Sequence, residues 1–268
     1  MAMRLWHQSF SQLDKLPVYQ KALDEHHRKL ATPGTEVVLH GIGEGAHATK
    51  FPAKKDVTYP YLHLLHAQKV LENVLQAEEE GYDGFLLSTF PDPQLQVAQS
   101  LVDIPVVGYG FSSMHTAAYL GRKFGIVSFL AEMLPCYVEN IRTYRLEQLG
   151  GPTRLLGMSY DDVHKAYSDP TAVLAAFHRA ARELINDEGC DVILPGEAPL
   201  SLLLQRNGVH RVDEAVVMDG LGTTLKMAEM LVTLRRTSDL RVTRRGFFHA
   251  RPSKERVDEL LRFYGRRK

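Results

Sequence analysis

The chain has 268 residues, of which 44% are hydrophobic, and its 32 basic side chains balance its 32 acidic ones. This length is enough for one large α/β domain or two smaller ones, and the neutral balance points to no polyanionic partner. The two cysteines, Cys136 and Cys190, are too few for a disulfide scaffold or a cysteine-based zinc site.

No run of apolar residues approaches the roughly 18 that a membrane-spanning helix needs. The segment that follows Met1 lacks the charged start and the apolar core of a secretory signal peptide. We therefore expect a cytoplasmic protein without a membrane partner.

Short apolar runs alternate with longer amphipathic segments, a pattern typical of parallel sheets joined by crossover helices. The predicted strands are residues 3–7, 36–40, 84–88, 105–109, 124–129, 154–158, 191–195 and 215–218. The long predicted helices are residues 61–80, 169–188 and 221–236. The sequence therefore predicts an α/β fold with parallel sheets.

The end of the chain has a different composition. Residues 235–268 include 12 basic and 4 acidic residues, and Ser253 is a candidate cap for a short helix that ends at Gly265. We predict a basic C-terminal tail, residues 237–268, that packs on this subunit or on a neighbouring one. Nucleic-acid binding is the weaker alternative, because no recognised reader motif accompanies the basic residues.

An internal repeat indicates two similar halves. Two segments begin Gly-x-Asp, at Gly81 and Gly189, after a long predicted helix, and each runs through an apolar strand to a proline, Pro91 or Pro199. A second pair of segments, each a strand followed by a glycine, Gly110 or Gly220, continues the match. Chance similarity between α/β units is the alternative, but the shared glycines and prolines are specific to turns.

The repeat predicts two Rossmann-like α/β domains, residues 1–108 with 217–236 and residues 109–216. Ligands of such sheets bind beyond the carboxyl ends of the strands. Thr89 and Glu197 occupy equivalent positions at two strand ends, 108 positions apart. We therefore expect these two residues to face each other across a cleft between the domains.

The order of these motifs resembles the aspartate/glutamate/hydantoin racemase superfamily, and its hydantoin racemase branch in particular. The resemblance covers residues 3–235. The segments that carry it are Thr89-Phe90-Pro91-Asp92-Pro93, Pro105-Val106-Val107-Gly108-Tyr109-Gly110 with Met114-His115, Gly196-Glu197, and Asp219-Gly220.

The resemblance implies a cofactor-independent enzyme in which two cysteines, on opposite faces of the substrate, move a proton beside a carbonyl group. In this chain Thr89 and Glu197 stand where the family has those cysteines. A threonine hydroxyl does not ionise near neutral pH, whereas a glutamate can act as a general base. One-base chemistry is therefore favoured: isomerisation or racemisation, or decarboxylation, of a small carboxylate or cyclic amide.

Two alternatives remain open. The same residues fit a hydrolase of a small lactam, lactone or imide, in which Glu197 activates water. Loss of both cysteines also fits a non-catalytic ligand-binding protein on a racemase scaffold. A small-molecule ligand is expected in every case, and the resemblance implies a homo-oligomer.

Further candidate ligand contacts lie in loops and at helix starts. Hydroxyl groups and backbone amides at a helix N-terminus suit an anion, and the glycine-rich loop after the second predicted strand can form a wall of the cleft or be a plain loop. The candidates are Gln8, Ser9, Glu44, His47, Phe90, Ser112, Ser113, Ala198, Asp219, Thr223 and Thr224.

Cofactor and metal motifs are incomplete. Gly108-Tyr109-Gly110 begins like a dinucleotide fingerprint, but the third glycine is missing. His63 and His66 lie three residues apart on a predicted helix without a third ligand nearby, so we expect surface or partly buried histidines rather than a metal site. No cofactor is predicted.

Overall fold

The computed structural model describes residues 2–43, 46 and 59–266. The described residues form an α/β fold with two sheets, as predicted. The strands are β1 (Met3–Gln8), β2 (Thr35–His40), β3 (Gly84–Leu87), β4 (Val106–Gly108), β5 (Phe124–Ser128), β6 (Gly150–Leu155), β7 (Val192–Pro195), β8 (Arg211–Val212) and β9 (Ala215–Val217).

The helices connect and cover these strands. They are α1 (Pro17–Leu30), α2 (Pro60–Glu79), α3 (Leu95–Leu101), α4 (Tyr109–Leu120), α5 (Leu134–Thr143), α6 (Tyr160–Lys165), α7 (Thr171–Glu188), α8 (Ala198–Arg206), α9 (Gly220–Ser238) and α10 (Lys254–Phe263). No helix in the described part of the chain is long and apolar enough to cross a membrane.

The two sheets have matching topologies. The first has the order β2-β1-β3-β4 and the second the order β6-β5-β7-β9-β8. All pairs are parallel except β8 with β9. Strands β3 and β7 therefore occupy the same position in their sheets, as the repeat predicts. The division into two domains at the bounds given above stays a prediction.

The turns before β3 and β7 use the same backbone conformation. Gly81 follows α2 with φ +76°, and Gly189 follows α7 with φ +68°. A residue with a Cβ rarely adopts this left-handed conformation, so glycine suits the position that ends a helix. The shared glycines of the repeat thus have a local steric cause.

The helices that follow β4 and β9 each pack on the sheet of the other half of the chain. Helix α4 follows β4 but places Met114 against the second sheet, in one apolar cluster with Ile126 and Leu194. Helix α9 follows β9 but places Leu225 against the first sheet, in a cluster with Leu86. This exchange binds the halves of the chain together.

The start of α9 lies very close to the start of α4. A Cβ atom at Gly220 would lie 2.3 Å from Cζ of the Tyr109 ring, a distance that real contacts do not allow. Ser112 Oγ of α4 lies 3.1 Å from Thr224 Oγ1 of α9. Glycine at position 220 is therefore a requirement of the close helix crossing rather than of a turn.

One predicted strand has the wrong bounds, and one observed strand was not predicted. Strand β6 begins at Gly150, not at residue 154, because Gly150 already pairs with Phe124 of β5. The short strand β8 was missed, since two residues carry too little periodicity to signal a strand.

The basic tail packs on the first half of the chain. Arg244 donates to the Asp103 carboxylate at 2.8 Å, and Arg251 forms ion pairs with Asp103 and Glu78. Ser253 accepts a hydrogen bond from the Arg256 amide and so caps α10, as predicted. Ion pairs with acidic residues of the same chain thus neutralise part of the positive charge of the tail.

The core contact of α9 can be tested by truncation. Leu225 is fully buried, whereas Met230 on the same helix is 46% exposed. We expect Leu225→Ala to lower the free energy of unfolding by about 2–5 kcal/mol, since it leaves a cavity under the first sheet. Met230→Ala should change it by less than about 0.5 kcal/mol. Urea unfolding of both variants checks this, and equal effects would contradict the assigned packing.

Candidate active site

A cavity lies between the carboxyl ends of the strands of the two sheets. Its walls come from both halves of the chain and from α1. The residues that line it are Ser9, Phe10, Ser11, Tyr19, His63, Ser88, Thr89, Pro91, Leu130, Met133, Tyr137, Tyr160, Gly196, Glu197, Ala198 and Pro199. Of the predicted site residues, Ser9, Thr89, Glu197 and Ala198 therefore meet at one place.

Glu197 lies at the junction between β7 and α8. Its backbone is extended (φ −137°, ψ 144°), and helix α8 starts at the next residue, Ala198. Pro199 suits the first turn, because the amide that proline lacks has no partner inside a helix at that position. The strand end thus directs the carboxyl group into the cavity wall, where only 8% of the residue is exposed.

Hydroxyl and amide donors surround the Glu197 carboxylate. The Ser128 hydroxyl donates to Oε1, and the Tyr137 hydroxyl donates to the same oxygen at 2.7 Å. The Phe129 amide donates to Oε2 at 3.3 Å. Burial raises the pKa of Glu197 to about 7, although these hydrogen bonds favour the charged form and lower it. A carboxyl group with this pKa can both take and give a proton near neutral pH.

Thr89 also lines the cavity and follows β3 of the first sheet, with Ser88 between them. It is partly buried, and its carbonyl oxygen accepts the Asp92 amide at 3.0 Å in the turn that follows. The repeat therefore brings Thr89 and Glu197 to one cavity from different sheets, in agreement with the expected arrangement.

Asp92 has a structural position behind this wall. Its carboxylate accepts the Gly110 amide at 3.0 Å, the Phe111 amide at 2.5 Å and the Tyr144 hydroxyl at 2.8 Å. It therefore caps the start of α4. Burial raises the pKa of Asp92 to about 7 against the effect of these hydrogen bonds.

Ser88 and Ser11 add hydroxyl groups to the cavity wall. Ser88 Oγ lies 3.0 Å from Nδ1 of His7, and Nε2 of His27 lies 2.9 Å from the same nitrogen. Burial lowers the pKa of both histidines, that of His27 to about 3, so they stay neutral. Ser11 Oγ lies 3.3 Å from the Tyr160 hydroxyl, which links the two halves across the cavity.

Several functional candidates were missed by sequence reasoning. Ser128 lies next to the end of the predicted strand 124–129 and is the last residue of β5, and a polar side chain at a strand end is a signal of the same kind as Glu197. Tyr137 and Tyr160 lie on helices, and no local motif marks them. His63 was expected to be a surface or partly buried histidine, and it is a partly buried one that lines the cavity.

Other predicted contacts are not brought to the cavity. Gln8 is fully buried, and its side chain bonds with Trp6, Asn73, Ser9 and Gly41 within the first half of the chain. Phe90 is buried too, and its ring packs edge-on against the rings of two tyrosines, Tyr109 and Tyr137.

The hydroxyl groups at the helix starts face the interior rather than the cavity. Ser112 donates to the Gly108 carbonyl oxygen and Thr224 to the Gly220 carbonyl oxygen, each at 2.7 Å. Ser113 is also buried. Ser112 and Thr224 pack between α4 and α9 where the two helices cross, and they therefore do not line the cavity.

Asp219 and Thr223 lie in a separate surface groove at the start of α9. Asp219 accepts the Gly222 amide at 2.9 Å and pairs with His26, whose Nε2 lies 3.0 Å from the carboxylate. Thr223 donates back to the Asp219 carbonyl oxygen at 2.7 Å. Two further predicted contacts, Glu44 and His47, lie outside the described residues.

The described residues do not form a set of metal ligands. Among the residues that the structure describes, no group of three or more histidine, cysteine, aspartate or glutamate side chains is arranged to hold a metal ion. The cavity thus offers one carboxyl group, one imidazole and several hydroxyl groups, a set suited to moving protons and binding carbonyl oxygens.

Comparison with known proteins identifies the class. The family model for Asp/Glu/hydantoin racemases matches residues 17–228, so the chain belongs to the Asp/Glu/hydantoin racemase family. It is accordingly an enzyme of the isomerase class.

Similar individual proteins agree with this assignment. The hydantoin racemase of Pseudomonas sp. (strain NS671) is 26% identical over 182 residues, which cover 68% of this chain and 71% of that protein. The hydantoin racemase of Paenarthrobacter aurescens is 28% identical over 172 residues, 62% of this chain and 68% of that protein. The structure of an allantoin racemase from Klebsiella pneumoniae shares the fold, with a TM-score of 0.78 and 24% identity, over 94% of this chain and 95% of that chain.

The raised pKa of Glu197 has a consequence for stability. The folded chain holds this proton up to about pH 7, whereas the ordinary value is 4.5. The group therefore contributes stability below pH 4.5, and that contribution is lost as the pH rises through 7. We expect Glu197→Gln, which cannot ionise, to gain about 2–3 kcal/mol relative to the wild type between pH 5 and pH 8.

Urea unfolding at both pH values measures this change. Glu255→Gln, at an exposed position on α10, is the control and should follow the wild type. A constant difference between Glu197→Gln and the wild type at all pH values would show that the pKa of Glu197 is not raised.

Proposed function

We propose that this enzyme moves a proton at the carbon beside a carbonyl group of a small cyclic amide of the hydantoin or allantoin type, with Glu197 as the acid–base group. The observation that carries the proposal is the buried Glu197 carboxyl, with a pKa of about 7, in a cavity lined by hydroxyl groups. The relatives support the substrate class, because they are named hydantoin racemases.

The proposed step begins with the Glu197 carboxylate. It takes the proton from the ring carbon, the electron pair of the broken C–H bond moves toward the carbonyl group, and an enolate forms. Ser128 and Tyr137 hold the carboxyl group in place through their hydrogen bonds to Oε1. Return of a proton to the carbon completes the exchange, and no other reactant is consumed.

The enolate oxygen needs hydrogen-bond donors placed before the reaction. Thr89, Ser9 and Ser11 line the cavity and follow strands of the first sheet, whereas Glu197 follows a strand of the second. We propose that the Thr89 hydroxyl donates to the carbonyl oxygen of the substrate. Decarboxylation of a substituted malonate would pass through a similar enolate, and hydrolysis would instead use Glu197 to activate water.

The test is hydrogen exchange in D2O, followed by NMR. Single enantiomers of 5-benzylhydantoin and of allantoin are incubated with the enzyme, and a phenylmalonate and a cyclic imide are run beside them. We expect deuterium at the ring carbon of a cyclic ureide, above the uncatalysed rate. Glu197→Gln should reduce this exchange by about 10²–10⁴-fold for the enantiomer whose ring proton Glu197 removes, because the variant lacks the proton acceptor.

Other products would change the assignment. Ring opening without exchange on carbon would support a hydrolase, and release of CO2 would support a decarboxylase. Full exchange of both enantiomers in Glu197→Gln would exclude this residue as the acid–base group. Ligand binding without any turnover in the panel would favour a binding protein.

The role of Thr89 is tested separately. Thr89→Val keeps the shape of the side chain but removes the hydroxyl, and we expect kcat/KM for exchange to fall on the order of 10–100-fold. Thr89→Ser keeps the hydroxyl and should retain most of the activity. Equal kcat/KM values for the two variants would exclude a hydrogen bond from this residue.

A further inference from the structure

We propose that His63 is the second proton-transfer group of this site and acts on the face of the substrate opposite Glu197. This inference rests on the proposed function. Inversion of a carbon centre requires a proton to leave one face and another to arrive on the opposite face. One carboxyl group in a fixed position serves a single face, so racemisation needs a partner on the other wall.

The walls of the cavity have different chemistry. The lining residues after β7 contribute Glu197, whereas those on the side of the first sheet are Ser9, Phe10, Ser11, His63, Ser88, Thr89 and Pro91. The serine and threonine hydroxyls of this second group do not ionise near neutral pH. Among the described lining residues on this side, His63 alone therefore carries an imidazole, the side chain whose ordinary pKa lies nearest neutral pH.

The tyrosines of the cavity do not replace His63. Burial raises the pKa of Tyr19, Tyr137 and Tyr160, so each keeps its proton near neutral pH. Tyr137 also uses its hydroxyl to hold Glu197. These rings can donate hydrogen bonds, but they do not exchange protons with a carbon centre at neutral pH.

Packing holds the imidazole of His63 against the cavity. It lies in the first turn of α2, and its ring stacks on Phe10, another lining residue, with the centroids 5.9 Å apart and the planes 28° apart. Its Nδ1 atom is enclosed and has no hydrogen-bond partner among the described residues. Burial lowers the pKa of His63 from its ordinary 6.5, so the neutral ring is available as a base.

The protons balance in both directions. In one direction the Glu197 carboxylate takes the proton from carbon, and the His63 imidazolium gives its proton to the opposite face of the enolate. In the other direction neutral His63 takes the proton, and the protonated Glu197 gives one. Exchange with water restores the starting state, and no electron acceptor or donor takes part.

The experiment uses His63→Asn and Glu197→Gln with each enantiomer of 5-benzylhydantoin in D2O. NMR measures deuterium on carbon, and chiral chromatography measures inversion. In His63→Asn we expect inversion to fall at least 100-fold, while deuterium still enters one enantiomer with retention at a rate within 10-fold of the wild type. In Glu197→Gln the surviving exchange should be in the other enantiomer only.

His66→Asn is the matched control, because it lies one turn further along α2 near the same Phe10 ring but does not line the cavity. It should invert both enantiomers like the wild type. Circular dichroism and urea unfolding check that His63→Asn folds.

Three outcomes would overturn the inference. Equal losses for both enantiomers in His63→Asn would reduce His63 to a structural role, and unchanged inversion would exclude it. Both results leave the proposed function intact, provided that Glu197→Gln stops exchange on one face. Absence of exchange in the wild type with 5-benzylhydantoin and allantoin would instead overturn the proposed function and the inference together.

Discussion

The crossing of α4 and α9 determines how the two halves of this enzyme meet. Each helix follows the last parallel strand of one sheet and packs on the other sheet. The crossing is close because Gly220 leaves room for the Tyr109 ring and because Ser112 and Thr224 meet across it. With the helices exchanged, the carboxyl ends of β3 and β7 are held at one cavity, and the residues after those strands share a site.

This constraint also decides which sequence predictions failed. Hydroxyl groups at helix starts commonly bind anions, and Ser112 and Thr224 fit that pattern in sequence. The structure uses their hydroxyls in the helix crossing instead, and a single sequence carries no signal for such an exchange between sheets. By contrast, Thr89 and Glu197 were predictable, since the repeat assigns them to equivalent strand ends.

Elements with strong local causes were also predictable. Gly81 and Gly189 adopt left-handed conformations that favour glycine, so their recurrence marked two equivalent turns. Buried parallel strands are continuous apolar runs, which is why most strand positions were predicted. His63, Tyr137 and Tyr160 reach the cavity from helices, and their positions depend on packing angles that periodicity does not contain.

Asp92 and Glu197 are both buried carboxyl groups with a raised pKa, but they have different surroundings. Burial raises the pKa of Asp92 and of Glu197 to about 7. Asp92 is saturated by two amides of α4 and the Tyr144 hydroxyl, so its carboxylate stabilises a helix start behind the wall. Glu197 lies in the cavity wall itself, so its titratable proton borders the cavity.

The site is chemically asymmetric, because a threonine follows β3 and a glutamate follows β7. A carboxyl group on the side of the second sheet is matched by hydroxyls and one imidazole on the side of the first. The proposed mechanism divides hydrogen bonding to the carbonyl group and proton transfer to carbon between different residues. In the proposed mechanism Thr89 donates to the carbonyl oxygen, while His63 in the first turn of α2 exchanges the proton with the carbon. The proposed mechanism therefore requires no ionisable side chain at the end of β3, because its second proton-transfer group comes from α2.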